Sequence, residues 1–206
     1  CLNSLVDSLN KLSTPWHLHI VDDNSSAATQ AMIQRIAPQA TYDFLPERDQ
    51  SGMNGKQKSR HSVRVAYDYI YKLNADELVY IVEDDYLHYP DSMEKMLEAW
   101  EYFVRIMPTN NIGIFPQDFP ELYPHERNPF NDTYVRQCMV IPGPDRYYRT
   151  TWFTHESFMV PIKLIWQYQD HFEKLMEIGT VDGAWEGTSL SNVWQQNDVV
   201  MVMPMR

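Results

Sequence analysis

Cysteine is scarce in this chain, with only Cys1 and Cys138 among 206 residues. Two cysteines cannot build the disulfide framework of a small secreted protein, and they fit a reducing compartment. No uninterrupted apolar run approaches about 18 residues, so the sequence predicts no membrane-spanning helix. No signal peptide, internal repeat or low-complexity tract is recognisable. We therefore expect a cytoplasmic protein.

Basic residues are also in deficit, with 17 Lys and Arg against 28 Asp and Glu and a net charge of −11. Such a chain repels phosphate backbones in general, so the composition argues against non-specific nucleic-acid binding. The best local basic cluster is formed by Lys56, Lys58, Arg60 and Arg64. Hydrophobic residues make up 44% of the chain, as in an ordinary soluble globular protein.

Helical and extended patterns alternate along the first half of the chain. Apolar spacing predicts helices over 1–12, 27–36 and 56–73 and from Pro90 onward, and strands over 17–21, 40–45 and 78–82. This alternation predicts an α/β fold with an open, mainly parallel sheet flanked by helices. We expect one domain over 1–206, divided into a ligand-binding half (1–105) and a second half (106–206).

The second half carries weaker signals. Residues 108–150 are rich in proline, aromatic residues and arginine, and apart from a strand at 112–115 they read as long functional loops. Helices near 161–177 and 187–196 and a strand over 199–203 complete the prediction.

Three carboxylates, Glu83-Asp84-Asp85, directly follow the apolar run Leu78 to Val82. At the end of a buried strand, where water is scarce, a divalent cation would neutralise them, and Mg²⁺ and Mn²⁺ prefer such oxygen ligands together with substrate phosphates. If the segment is extended, Glu83 and Asp85 face one point. The competing interpretation is a solvated acidic turn, and His88 nearby reads as a packing or surface residue.

Asp22-Asp23-Asn24-Ser25 also follow a predicted strand. Ligands of open parallel sheets bind outside the carboxyl ends of strands, so a carboxylate here is placed to contact a nucleotide. Helix capping by Asp23, Asn24 or Ser25 is the plainer interpretation. The basic cluster at the start of the following helix suits phosphate, although such a run is usually a solvated helix face.

Two later segments hold further candidates. Asp182-Gly183-Ala184-Trp185-Glu186-Gly187 precedes a predicted helix, where Glu186 or Asp182 could act as a general base or serve only the helix terminus. Trp185 and Trp152 offer flat faces for a sugar ring, and His155 suits a structural or substrate-positioning role.

The order of these segments resembles inverting family 2 glycosyltransferases of the GT-A fold, including the spore-coat polysaccharide transferase type. The similarity covers about 1–105 well and the remainder loosely. It implies that Asp23, with Asp22 beside it, and Arg60 contact the nucleotide base. It also implies that Glu83-Asp84-Asp85 holds the metal and the sugar-nucleotide, with Asp85 as a direct ligand. Glu186 matches the family's base, but Gly187 replaces its second acid, so Asp182 remains the alternative.

The family's first strand, central in its sheet between the strands predicted at 17–21 and 78–82, has no counterpart in this sequence. Its absence would expose interior backbone groups, each at about 1–3 kcal/mol. We therefore expect residues upstream of Cys1.

The function implied is transfer of a sugar from a nucleotide-diphosphate donor to an acceptor hydroxyl, with inversion and with Mn²⁺ or Mg²⁺. The acceptor would be a glycan or another hydroxyl-bearing molecule. Two alternatives stay open: a nucleotidyltransferase, which usually shows a Gly-rich basic first loop, and a nucleotide- or sugar-binding domain without catalysis.

Overall fold

A computed structural model of the chain describes residues 1–47, 55–117, 138–152, 154, 157–177, 192–196 and 198–205. The helices in these residues are α1 (Leu2–Leu9), α2 (Ala27–Ile36), α3 (Gly55–Ile70), α4 (Ser92–Ile106), α5 (Ile162–Gln167) and α6 (Gln169–Glu177). The strands are β1 (His19–Asp22), β2 (Thr41–Phe44), β3 (Leu78–Ile81), β4 (Asn111–Ile114), β5 (Val140–Pro142), β6 (Tyr147–Thr151), β7 (Phe158–Pro161) and β8 (Val199–Pro204). A mixed α/β architecture is therefore confirmed.

The pairing of the strands corrects the expected sheet. β1 and β2 form a parallel pair, with His19 opposite Thr41. The other strands form one sheet in the order β3-β7-β4-β8-β6-β5. Within that sheet β4 and β8 run parallel, and each other neighbouring pair is antiparallel. The prediction of a mainly parallel sheet is therefore wrong, and the larger sheet is mostly antiparallel.

Three strands of the second half of the chain, β5, β6 and β7, make the larger sheet mostly antiparallel, and β5 and most of β6 fall where loops were expected. β5 and β6 form a hairpin in which Ile141 lies opposite Tyr148, and the N–H of Gly143 donates to the carbonyl of Arg146 at 2.8 Å. A short turn suffices to join such an antiparallel pair, whereas parallel pairs need a crossover. β7 inserts between β3 and β4, is antiparallel to both and is buried along its whole length.

Helices cover both faces of the larger sheet. On one face, α1 and α4 pack with Ile112, Ile114, Met159 and Val202. On the other face, α3, α5 and α6 pack with Phe158, Val160, Met201 and Met203. Adjacent residues of β8 thus enter opposite cores, as the two-residue period of a strand requires. Because helices cover both faces of the sheet, its side chains pack in the two cores. A ligand would reach the sheet at the ends of its strands.

Gly113 shows how closely the central strands approach each other. A Cβ atom built on it would lie 2.0 Å from the Sδ of Met201 and 2.9 Å from a methyl carbon of Val160. Both neighbours are buried, so any side chain at position 113 would displace the core between β4, β7 and β8.

β1 and β3 belong to different sheets, and β3 is the terminal strand of the larger one. All four residues of β3 are only partly buried, although its partner β7 is fully buried. The helices within the described ranges include none that is long and apolar enough to cross a membrane. Cys1 and Cys138 are both free and exposed.

Candidate functional site

The turn after β1 is organised by Asp22, which is 7% exposed. Its Oδ2 accepts hydrogen bonds from the backbone N–H of Ser25 at 3.1 Å and from the side-chain amide of Gln30 at 3.0 Å. Burial alone would raise the pKa of Asp22, but these hydrogen bonds outweigh it and hold the pKa below its ordinary value. Asp22 is therefore an ionised carboxylate turned toward its own chain.

The N-cap of helix α2 is Ser26, the residue after the last of the three predicted candidates. The Oγ of Ser26 accepts the N–H of Thr29 at 3.2 Å, so the N-cap is Ser26 and not Asp23, Asn24 or Ser25. Asn24 takes a left-handed conformation with φ of 64°, which asparagine tolerates better than most residues. The turn leaves the side chain of Asp23 exposed beyond the end of β1. Of the two aspartates, Asp23 is thus the one presented to solvent.

The acidic segment after β3 differs from its expected form in two respects. Glu83, Asp84 and Asp85 are all exposed, so water reaches each carboxylate. Asp84 and Asp85 also lie in a turn, so the alternation of an extended strand does not bring Glu83 and Asp85 to one point. The expectation that water is scarce here is therefore wrong, because β3 itself is only partly buried. A cation is not required to stabilise the fold at this position.

Ser157 fixes this acidic turn to the core. It is completely buried at the residue before β7, and its Oγ accepts the backbone N–H of Glu83 at 3.1 Å. Burial raises the pKa of Tyr86, the nearby Ser157 hydroxyl lowers it, and the neighbouring carboxylates of Glu83 and Asp85 raise it further. Tyr86 thus lies close to two of the three candidate ligands.

His88 acts in packing, as the sequence suggested. Its Nε2 lies 3.1 Å from the hydroxyl of Tyr80 on β3, and the two rings meet edge to face. Its backbone N–H donates to the Oγ of Ser4 at 3.1 Å. These contacts place the first turn of α1 beside the segment that follows the acidic turn. Burial lowers the pKa of His88, as does the nearby positive N-terminus of Cys1.

The basic cluster at the start of α3 divides into different roles. Arg60 is buried, only 7% exposed, one turn before Val63, which packs against the same core as Val79 and Ile81 of β3. Arg64 instead donates to the Oε2 of Glu173 at 2.5 Å and joins α3 to α6. The side chains of Lys56 and Lys58 lie outside the described residues. Among the described side chains, Arg60 is thus the buried member of the cluster.

The remaining candidates are placed only in part. Trp152 follows β6 and is partly buried. His155, Asp182, Trp185 and Glu186 lie outside the described residues. Thr154, the residue before His155 in the sequence, is described: its Oγ1 accepts the indole N–H of Trp194 at 2.7 Å in a buried setting. The structure therefore leaves both candidate bases as predictions.

A three-ligand metal site is not found among the described residues, which hold no group of three or more His, Cys, Asp or Glu side chains able to bind an ion. One or two carboxylates are nevertheless enough for Mg²⁺ when substrate phosphates supply the other oxygens. The exposed carboxylates of Glu83 and Asp85 fit that second kind of site. A cation bound here would need the phosphate oxygens of a substrate for tight binding.

Three residues of this region, Tyr86, Thr154 and Ser157, are not predicted from the sequence. A usable signal exists, because Thr154 and Ser157 are small polar residues on either side of a short segment leading into a wholly apolar strand. Buried hydroxyls at such positions need hydrogen-bond partners, so they often hold a neighbouring loop.

Comparison with known proteins adds no assignment. No protein-family model matches the chain, and a search of curated proteins finds no significant match.

Proposed function

We propose that the protein is a glycosyltransferase that moves a sugar from a nucleotide-diphosphate donor to an acceptor hydroxyl with inversion. The observation that carries the proposal is the acidic turn at the end of β3. Its carboxylates are exposed to a ligand, while its backbone is held to the buried Ser157. A loop that served only to connect β3 with α4 would not need three adjacent like charges, which repel one another.

The donor's diphosphate would be held from two sides. Glu83 and Asp85 offer the hard oxygen ligands that Mn²⁺ and Mg²⁺ prefer, and Asp84 lies between them. Such an ion, when bound, offsets the charge that develops on a departing diphosphate. Arg60, a buried cation on α3, would supply the countercharge on the second side. Because Arg60 is already buried, its side chain would lose little conformational entropy when it binds a diphosphate.

The nucleoside would extend toward the end of β1. Asp23 is exposed there, on a turn that Asp22 fixes by two hydrogen bonds. The contact of Ser4 with His88 places the start of α1 beside the segment that follows the acidic turn. The proposal requires Asp23 and the acidic turn to face one ligand-binding edge.

The chemical step needs one base. The acceptor hydroxyl would bond to the anomeric carbon as the bond from that carbon to the diphosphate oxygen breaks. The hydroxyl proton would pass to a carboxylate, Glu186 or else Asp182, and the diphosphate would leave with the bonding electrons. Attack opposite the leaving group inverts the anomeric carbon. Trp152, Trp185 and His155 would contact the acceptor.

The direct test is release of nucleoside diphosphate from a panel of nucleotide sugars, with Mn²⁺ and with a chelator. We expect turnover of at least one donor that depends on Mn²⁺. Binding of a donor without any release, with or without an acceptor sugar, would favour the non-catalytic binding domain. Formation of a new nucleotide-sugar bond from a nucleoside triphosphate would favour the nucleotidyltransferase.

A further inference from the structure

We propose that Ser157 and Thr154 are positioning residues: Ser157 holds the acidic turn of the candidate site to the core, and Thr154 holds Trp194 there. Both side chains are 0% exposed, although each carries a hydroxyl. Burying a hydroxyl without a hydrogen bond is unfavourable, so the partners of these two groups show what each one holds. The link to catalysis rests on the proposed function, whereas the contacts themselves do not.

Ser157 holds the acidic turn. Its Oγ accepts the N–H of Glu83 at 3.1 Å. Glu83 directly precedes the turn at Asp84 and Asp85. One buried oxygen therefore anchors the start of that turn.

The anchor itself is rigid. Ser157 directly precedes Phe158, which is completely buried and lies opposite Ile81 in the β3–β7 pairing. The serine therefore belongs to the strand next to the one that carries the acidic turn. A shift of the turn relative to the sheet would have to break a buried hydrogen bond.

Thr154 makes the second contact. Its Oγ1 accepts the indole N–H of Trp194 at 2.7 Å, and that ring packs edge to face on Phe158 with centroids 5.2 Å apart. Trp194 is only 3% exposed, so the hydroxyl satisfies a buried indole N–H. Thr154 thereby fixes Trp194 beside the residue that follows Ser157.

Neither hydroxyl touches a ligand in this scheme, so both act through other groups. Outer-shell partners of metal ligands typically change metal affinity by about 10–100-fold when they are removed. The same change would leave the ligand side chains chemically intact. Loss of Ser157 should therefore appear as altered affinity and local exchange and not simply as loss of fold.

The test compares Ser157→Ala with Ser8→Ala. Ser8 is equally buried, and its Oγ accepts the N–H of Met93 at 3.0 Å between α1 and α4, so it is a matched control. Hydrogen exchange is followed at the amides of Glu83 to Tyr86, and binding of Mn²⁺ alone is measured by titration. We expect Ser157→Ala to speed that exchange by roughly two- to tenfold, the effect of one lost hydrogen bond. We expect it to weaken Mn²⁺ binding about tenfold, and Ser8→Ala to change neither quantity.

Equal exchange in the two variants would overturn the positioning role of Ser157. Faster exchange in Ser157→Ala, in a protein that binds no Mn²⁺ in any form, would support positioning and reject the proposed metal-dependent function. Should Ser157→Ala fail to fold, Ser157→Cys keeps a side chain of similar size but replaces the hydroxyl by a weak acceptor, and unchanged exchange in it would overturn the proposal. For Thr154, the isosteric Thr154→Val should speed exchange of the Trp194 indole proton in NMR spectra, and an unchanged rate would reject its role.

Discussion

The carboxylate of Asp22 accepts the side-chain amide of Gln30 at 3.0 Å and thereby joins the last residue of β1 to helix α2. With the N–H of Ser25 as a second donor, it stabilises the turn that presents Asp23. The hydrogen bonds favour the ionised form, so the pKa of Asp22 in the folded protein is below the ordinary 3.8.

Asp22→Asn should therefore lower the free energy of unfolding by about 1–3 kcal/mol at neutral pH. Because the folded-state pKa is depressed, the stabilisation is complete above the unfolded-state pKa and is lost as pH falls through the folded value. Urea unfolding of both proteins from pH 7 to pH 3 checks this. A stability difference that grew toward low pH would contradict the assigned ionisation.

Asp85→Ala should abolish Mn²⁺-dependent release of nucleoside diphosphate while leaving the thermal midpoint nearly unchanged, because Asp85 is exposed in a turn. Asp76→Ala is the matched control, since Asp76 is also exposed but precedes β3 instead of following it. Turnover is measured by diphosphate release at saturating Mn²⁺. Full activity of Asp85→Ala under that condition would defeat its role as a metal ligand.

Substitutions of Arg60 and Arg64 should have different effects, one on ligand affinity and the other on stability. Arg64→Ala removes a partly exposed ion pair with Glu173, so we expect a loss of about 0.2–1 kcal/mol in stability and unchanged affinity for a nucleoside diphosphate. Arg60→Gln should weaken that affinity by about tenfold or more, as expected for a hydrogen bond to a charged group. Equilibrium titration gives both affinities. Equal effects of the two substitutions on binding would show that Arg60 has no special part in the site.

Gly113→Ala should destabilise the fold without touching the site. The added methyl would meet Met201 and Val160 at distances that require the core to move, and overpacking of this kind costs about 1–3 kcal/mol. Denaturant unfolding measures the loss, and Mn²⁺ affinity serves as the control. Stability equal to that of the wild type would mean that the contact between β4 and β8 is looser than the structure shows.

The local elements of the first half were predictable because each has its own periodic pattern. The apolar spacing of residues 27–36 predicted α2 to the residue, and the apolar run at 78–82 predicted β3. The expected parallel sheet was wrong because β5 and most of β6 fall in residues 108–150, where the sequence predicts a strand at 112–115 and otherwise loops, and because β7 was not predicted as a strand. β7 is a wholly apolar segment without alternation that ends at Pro161, so it merges in the sequence with the helix that follows.

The candidate site was predictable to a similar degree. The acidic and aspartate-rich segments stand out because charge directly follows an apolar strand, and their position at strand ends follows from that. The hydrogen bond that supports the acidic segment could not be predicted, because Ser157 and Glu83 are 74 positions apart in the sequence. The same limit applies to Arg64, whose partner Glu173 lies on α6 and diverts it from ligand binding.

The central claim is that the acidic turn binds a nucleoside diphosphate through a divalent cation. Isothermal titration of the full chain with uridine, guanosine, thymidine, adenosine and cytidine diphosphates, in Mn²⁺ and in chelator, measures it most directly. The account predicts that at least one diphosphate binds in Mn²⁺ and loses its measurable affinity both in chelator and in Asp85→Ala. Binding of equal strength in Mn²⁺ and chelator, or no binding of any diphosphate, would contradict it.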